Sequence, residues 1–316
     1  MNNHPKNQHY VPQFLLRHFS IEGTDTVFCF NKQNNKEYIS NIRNVASEKY
    51  FYDLEPGNTD TSFEYLLNEL EGKASIIIKR ILLEKSIRFL TEDDRIALST
   101  FIGAQHIRTR AKRNDMKNLD DEIQRQFIKC GIDPNNISNY KPFQNDNEIK
   151  IASLRNFNII NSLIPTILEK KWYLSESDGR FWISDNPVVL HNEINKDIHR
   201  STIGFSVPGI EIFMPLSPNI ILCFIDNSVF EVFKNNFTEN YIKYQLDNNY
   251  DLQNMVNCIK RKIPFPCTKG NIEYYNSLQL LYSEIHIFST KNNFELARSI
   301  MKERNGVFNR SRLKIE

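Results

Sequence analysis

Three residues in the first quarter of the chain carry side chains suited to acid–base or metal chemistry. His9 lies between a glutamine and an apolar segment, where an imidazole could act as a general base or metal ligand near pH 7. Alternatively, His9 has a structural role and forms hydrogen bonds where two parts of the fold meet. Glu64 and Glu71 are seven residues apart and share one face of a predicted helix. Their carboxylates could act catalytically with Mg²⁺ or Mn²⁺, or could pair with guanidinium groups of the next helix.

Asp185 is a fourth candidate, at the end of a predicted strand. A scaffold fixes an acid at such a position while the adjoining loop stays open, so Asp185 could be a catalytic acid or, with His9, a metal ligand. It could equally cap the turn before Pro187. His191, on the following predicted strand, could join Asp185.

A basic cluster could hold phosphate. Gln105, Arg108, Arg110 and Arg113 fall on one predicted helix, and guanidinium groups match phosphate oxygens in pairs. At about 100° per residue, Arg110 points roughly 200° away from Arg108. Gln13 joins this group as a candidate substrate-binding residue. Alternatively, its side chain helps to fix the local backbone. The basic cluster predicts a nucleic-acid or nucleotide partner, whereas a solvated helix face would need none.

Composition and missing motifs exclude several classes of protein. The 316 residues carry 40 basic and 38 acidic side chains, so bulk charge alone would not hold the chain on nucleic acid. Twelve per cent aromatic residues argue against intrinsic disorder. The sequence contains no P-loop, dinucleotide fingerprint, H-E-x-x-H or G-x-S-x-G motif. Five widely spaced cysteines, no signal-like start and no long apolar run predict a cytoplasmic protein without a membrane segment.

The periodicity predicts an α+β fold, with a helical block between an N-terminal strand region and a mostly antiparallel main sheet. The predicted parts are a core over 1–225, containing the helical block 59–170 and strands over 171–225, and a C-terminal helical region over 226–316 that packs on this core. We expect one compact unit. Within the block, an apolar stripe predicts one buried helix face, comprising Phe63, Leu66, Leu67, Leu70, Ala74, Ile77, Ile78 and Ile81. A second helix is predicted from Thr91 to about Cys130, and a third from Glu148 to Lys170 with an interruption near Pro165.

Several segments carry a resemblance to a known family. The opening QHYVPQFLLR at 8–17, the helix FIGAQHIRTRAKR at 101–113 and the strand end ISDNPV at 183–188 resemble the bacterial domain of unknown function 4238 family. The resemblance covers roughly residues 8–225. It implies an accessory or effector protein of bacteria, with a role in defence or toxicity by association.

Two main functions follow from these residues. The first is a metal-assisted nuclease effector of a bacterial defence or toxin module, acting on RNA or DNA and working with a partner protein of that module. The second is a non-catalytic nucleic-acid- or protein-binding or sensor module, in which the Arg–Glu–His–Asp set is a structural network. Pairing of Glu64 or Glu71 with Arg108 or Arg113 would favour the second. An enzyme acting on a nucleotide-like small molecule is a third possibility.

Overall fold

The fold is described from a computed structural model, in which residues 6–55, 62–192, 203–231 and 249–303 are described. The N-terminal region holds one short helix and four strands. They are β1 (Asn7–His9), α1 (Gln13–Arg17), β2 (Thr26–Asn31), β3 (Lys36–Asn41) and β4 (Ser47–Lys49). Strands β2 and β3 form an antiparallel hairpin within the predicted N-terminal strand region, and β1 pairs antiparallel with β4. This pairing fixes the segment that carries His9 beside the helical block.

Five helices follow along the described chain. They are α2 (Glu64–Glu84), α3 (Glu92–Ile107), α4 (Arg110–Lys129), α5 (Asp146–Arg155) and α6 (Ile160–Leu168). Helix α3 begins at the predicted Thr91, whose hydroxyl accepts from the Asp94 amide while the Asp94 carboxylate accepts from the Thr91 amide. Helix α2 buries the predicted stripe with one correction, since Leu66 is exposed.

The structure corrects two helix predictions. The helix predicted from Thr91 to Cys130 is two helices, because Thr109 is extended and its hydroxyl caps α4 by accepting from the Lys112 amide. The predicted third helix is interrupted at Asn156–Ile159, and Pro165 lies inside α6. The first break matters for function, because it separates Arg108 from the two arginines that follow.

Strands from both halves of the chain form the two larger sheets. The remaining elements are β5 (Lys171–Glu176), β6 (Ile183–Ser184), β7 (Val189–His191), β8 (Glu211–Pro215), β9 (Ile220–Ile225), α7 (Asn249–Arg261), β10 (Phe265–Pro266), α8 (Lys269–Tyr282), β11 (His286–Ser289) and α9 (Glu295–Glu303). One sheet has the order β10-β5-β9-β8-β7 and the other β3-β2-β11-β6. Among the described strands, β10 and β5 pair in parallel and the other pairs are antiparallel. The predicted α+β class with mostly antiparallel sheets is confirmed.

The C-terminal region is part of the second sheet. Strand β11 lies between β2 and β6, so it joins the N-terminal hairpin to the strand that precedes Asp185. The largest apolar cluster packs α1, α2 and α3 against residues of the sheets, including Leu15, Ile78, Phe101 and Leu222. Within the described residues no helix has the length and apolar character needed to cross a membrane.

Candidate functional site

Arg108 lies at the centre of the candidate site, immediately after α3. Its guanidinium donates from Nε to Gln105 Oε1 at 2.8 Å and from Nη1 to Glu71 Oε1 at 2.6 Å. The Arg108 side chain is 1% exposed and that of Glu71 is 21% exposed. Burial by itself would lower the pKa of Arg108, but nearby acidic groups, including Tyr52, Glu71 and Glu64, raise it. The arginine therefore stays charged although it is buried.

One nitrogen of this guanidinium has no partner. Arg108 Nη2 is buried and makes no hydrogen bond to any described residue. A buried donor without an acceptor costs about 1–3 kcal/mol, and more when the group is charged. The other two nitrogens of Arg108 are already fixed by Gln105 and Glu71, so the open donor is held in a defined direction. Such a group is prepared to receive an anionic oxygen.

The N-terminal segment closes one side of this centre. Gln105 Nε2 donates to the Tyr10 carbonyl at 2.8 Å, and the Tyr52 hydroxyl donates to the His9 carbonyl at 3.1 Å. His9 Nε2 lies 3.2 Å from the Ile42 carbonyl. A carbonyl only accepts, which assigns the ring proton to Nε2 and leaves a lone pair on Nδ1. Gln13 Nε2 approaches that lone pair at the long distance of 3.5 Å.

The ionisation of the surrounding groups follows from burial. Burial lowers the pKa of His9, while the Ile42 carbonyl and Glu71 partly oppose that shift. Burial also raises the pKa of Tyr52, with Glu71 and Glu64 adding to the increase. His9 is therefore neutral near pH 7 and the Tyr52 hydroxyl is protonated. The predicted residues His9, Gln13, Glu64, Glu71, Gln105 and Arg108 thus surround one centre.

Arg113 reaches the same centre from α4. Its Nη2 donates to the Phe51 carbonyl at 3.0 Å, and its guanidinium lies 3.7 Å from the centroid of the Phe51 ring. Nε donates to Ser153 Oγ at 3.3 Å. Burial lowers the pKa of Arg113, and Glu48 partly offsets this. Arg108 and Arg113 line a narrow crevice that has no room for a water molecule, together with Phe51, Tyr52, Ile107, Thr109, Ser153, Leu154 and Phe157.

Arg110 lies apart from the crevice. Its Nη1 is 3.3 Å from Glu48 Oε1, in an ion pair whose two side chains are both exposed to water. The helix break at Thr109 sets this direction, so the angle calculated for a continuous helix does not apply. Arg110 nevertheless lies close enough to Tyr10 and His286 to act on both: it opposes the rise that burial causes in the pKa of Tyr10, and it adds to the fall that burial causes in the pKa of His286. It borders the second cluster of polar residues, around Asp185.

Asp185 has its carboxylate occupied by backbone amides. Oδ1 accepts from the Glu284 amide at 2.7 Å, and Oδ2 accepts from the Ile285 and His286 amides at 2.8 and 2.9 Å. The side chain is 1% exposed. These bonds fix the loop that leads into β11, and they leave little capacity for a metal ion or a substrate proton. His191, the partner considered from the sequence, packs edge-on against Tyr274 instead.

His286 is the histidine beside Asp185. Its Nδ1 lies 4.0 Å from Asp185 Oδ2, and its Nε2 accepts from Asn31 Nδ2 at 3.2 Å. The Tyr38 hydroxyl lies 2.9 Å from the same nitrogen. Burial lowers the pKa of His286, while Asp185 raises it and Arg110 lowers it further. The hydrogen bond from Thr109 Oγ1 to Asn186 Oδ1, at 2.9 Å, links this cluster to the Arg108 centre.

Sequence reasoning missed Tyr38, Tyr52 and His286. Tyr52 stands in the run Tyr50-Phe51-Tyr52, whose composition indicates only an apolar stretch. Tyr38 and His286 are 248 residues apart and meet only because β2 pairs with both β3 and β11. A local pattern could not have indicated that contact. Within the described ranges, no group of three or more His, Cys, Asp or Glu side chains could hold a metal ion.

Comparison with known proteins identifies a family. A family described as "Protein of unknown function (DUF4238)" matches residues 7–293, which span the described helices and sheets except α9. No curated protein matches the chain. No solved structure matches it either.

Proposed function

The chain belongs to the DUF4238 family, and because the family's description names no activity, we propose a function from the site itself. The chain is a binding module that recognises a phosphate-bearing ligand, such as RNA, DNA or a nucleotide, at the Arg108 centre. The buried Nη2 of Arg108, without a hydrogen-bond partner among the described residues, carries this proposal. A phosphate oxygen would supply the missing acceptor and relieve the cost of burying that donor.

The rest of the crevice supports an anionic ligand. A second guanidinium, that of Arg113, lines it, and the pKa of Arg113 is lowered by a burial that a bound anion would compensate. The described side chains leave no room in the crevice for a water molecule, so a phosphate would reach Arg108 only when a lining side chain moves aside. The rest of the ligand would remain outside the crevice. Arg110, on the exposed start of α4, would then contact a neighbouring phosphate.

The occupied carboxylates favour binding over catalysis. Glu71 is paired with Arg108, and Asp185 accepts three backbone hydrogen bonds. A general base needs a free lone pair within reach of the proton that it removes. These two acids are committed to other partners, as expected for a structural network around a binding site.

Fluorescence anisotropy with labelled single-stranded RNA and DNA tests the proposal. Arg108→Met should raise the dissociation constant at least about tenfold, because one charge-assisted contact is lost. The matched control is Arg125→Met, which removes an exposed arginine that pairs with Glu122 at 2.9 Å on α4. That variant should bind within about twofold of wild type. Equal losses in both variants would mean diffuse electrostatic attraction, and no binding by wild type would remove the nucleic-acid proposal.

Metal-assisted phosphodiester cleavage at the same centre is the second candidate, and the state of His9 favours it. Burial keeps the His9 ring neutral, and the bond to Ile42 leaves the Nδ1 lone pair able to accept a proton. Arg108 would hold the phosphate, and Mg²⁺ or Mn²⁺ would have to arrive with the substrate, because the described His9, Glu64 and Glu71 do not form a metal-binding group. This would be the nuclease activity of an effector.

A cleavage assay separates the two candidates. Wild type, His9→Gln and Asp185→Asn are incubated with RNA, plasmid DNA and single-stranded DNA, in Mg²⁺, Mn²⁺ or EDTA. Metal-dependent cleavage that His9→Gln abolishes would establish catalysis at this centre. Binding without cleavage under every condition would leave the binding module as the function.

The cellular setting is also a proposal, supported by the family resemblance and the cysteine pattern. We place the chain in the bacterial cytoplasm, as part of a defence or toxin module with a partner protein. Deleting the gene from a host strain and measuring phage plating efficiency would test the defence role.

A further inference from the structure

Helix α2 carries an exposed apolar stripe that faces away from the core. The side chains of Tyr65, Ile76 and Leu83 are 77%, 73% and 83% exposed. Their separations of 11 and 7 residues place them within about 20° of one another around the helix. Gly72 lies on the same face, and no atom comes within 4 Å of the position that a Cβ would occupy there. Large apolar side chains aligned in this way mark an interaction surface.

The position of this stripe follows from the rest of α2. The opposite face is packed in the core through Leu67, Ala74, Ile78 and Ile81. Glu71, which holds Arg108, lies about 140° around the helix from Ile76. A partner on the stripe would therefore leave the Arg108 centre open. The inference is independent of the proposed ligand.

Charges on the stripe determine which partner fits. Glu69, in the first half of α2, pairs with Lys73 at 2.8 Å, and Lys79 lies in the second half; all three side chains are exposed to water. A second copy of α2 running antiparallel, centred near residue 74, places Glu69 opposite the partner's Lys79. The same register places Tyr65 opposite the partner's Leu83. Every contact occurs twice, as in a two-fold symmetric dimer.

Shape complementarity points to the same register. Ile76 then faces the partner's Gly72, where the missing side chain leaves room for it. A parallel copy in register would bring Glu69 against the partner's Glu69 and Lys79 against the partner's Lys79, which repel. The 21-residue helix is about 31 Å long, enough for a two-helix contact over nearly six turns.

We propose that α2 is a homodimerisation surface, which pairs antiparallel with α2 of a second copy of this chain. Sedimentation velocity over protein concentrations from about 1 to about 100 μM tests it. Wild type should reach twice the monomer mass within this range. Ile76→Glu should raise the dimer dissociation constant at least about 100-fold, because a charge enters the centre of the interface twice. Wild type that stays monomeric throughout would overturn the proposal.

Two further variants separate this surface from a general loss of solubility or folding. Ile128→Glu, on the 63% exposed Ile128 of α4, makes the same chemical change away from the stripe and should leave dimerisation unchanged. Glu69→Lys should weaken the dimer, and adding Lys79→Glu should restore it. An unchanged dimer in Ile76→Glu, or no recovery in the double variant, would overturn the antiparallel arrangement. Thermal melts of each variant check that it is folded.

Discussion

Replacing Glu71 with Gln tests the electrostatics of the Arg108 centre. The carboxylate accepts from Arg108 Nη1 at 2.6 Å, and Nη2 of that arginine has no hydrogen-bond partner among the residues that the structure describes. Glu71→Gln keeps an acceptor of similar shape but removes the negative charge. The buried guanidinium then has one neutral hydrogen bond in place of its ion pair. We expect a less stable fold whose arginine attracts anions more strongly.

The size of this effect follows from exposure. Removing one partner of a fully buried pair costs about 3–5 kcal/mol, whereas an exposed pair contributes about 0–1 kcal/mol. Arg108 is fully buried but Glu71 is partly exposed, and Gln keeps a hydrogen bond, so we expect about 2 kcal/mol. For 316 residues, an unfolding entropy of about 2.1 cal/mol/K per residue gives about 0.66 kcal/mol/K. The melting temperature should therefore fall by about 3 °C.

Differential scanning calorimetry at pH 7 measures this shift. The control is Glu84→Gln, the same change on the same helix, at an exposed carboxylate that pairs with Arg80 at 2.7 Å. Its melting temperature should change by less than about 1 °C. Equal shifts for the two variants, or no shift for Glu71→Gln, would refute the claim that Glu71 stabilises a buried charge.

Three other predictions follow from buried polar groups. Asp185→Asn should cost about 2–3 kcal/mol in urea unfolding, because an amide cannot accept all three backbone N–H groups; an unchanged midpoint would contradict this. Burial lowers the pKa of His9, so the unfolded chain binds a proton more readily and stability should fall as pH drops through about 6.5. His9→Gln should reduce that slope, and an identical pH profile would refute the prediction. Burial would raise the pKa of Asp226, but hydrogen bonds from Lys170 and Ser228 lower it to about 2. Its stabilisation should therefore be lost as pH falls from about 3.8 to about 2, and Lys170→Met should remove much of this loss.

The sequence predicts the fold class well because periodicity reports burial directly. The apolar stripe predicted for the core-facing side of α2 is buried at Leu67, Ala74, Ile77, Ile78 and Ile81. Leu66 is the informative exception. Its apolar character matches the stripe, yet its side chain lies on the exposed side of α2. Periodicity alone cannot distinguish an apolar residue in the core from one that faces a partner.

The helix break at Thr109 could not be predicted from local pattern. Residues 105–113 have ordinary helical propensities, and Thr109 both caps α4 through the Lys112 amide and donates to Asn186, 77 residues away. The break at Thr109 separates Arg110 from Arg108. The basic cluster, which was predicted to lie on one helix, is therefore divided between the crevice and the surface.

The candidate site, too, could be predicted from local sequence pattern only in part. Residue types and spacing bring out His9, Glu71, Gln105 and Arg108, which the structure places together. The environment of Asp185 is set by three backbone amides about 100 residues later, and a backbone amide has no sequence signature. Whether an acid is free or occupied depends on tertiary contacts of this kind.

Thermal stabilisation by inorganic phosphate tests the central claim, that Arg108 Nη2 is an open anion ligand, most directly. Melting temperatures of wild type, Arg108→Met and Glu71→Gln are measured in phosphate and in chloride at equal ionic strength. At about 100 times the dissociation constant, phosphate should stabilise wild type by about 2.7 kcal/mol, or about 4 °C.

Phosphate also stabilises folded proteins in general, because it is excluded from the protein surface. The comparison between variants therefore decides the question. The account predicts a larger phosphate shift for Glu71→Gln than for wild type, and only the general salt effect for Arg108→Met. Equal phosphate shifts in all three proteins would contradict it, because the ion would then act without the Arg108 guanidinium.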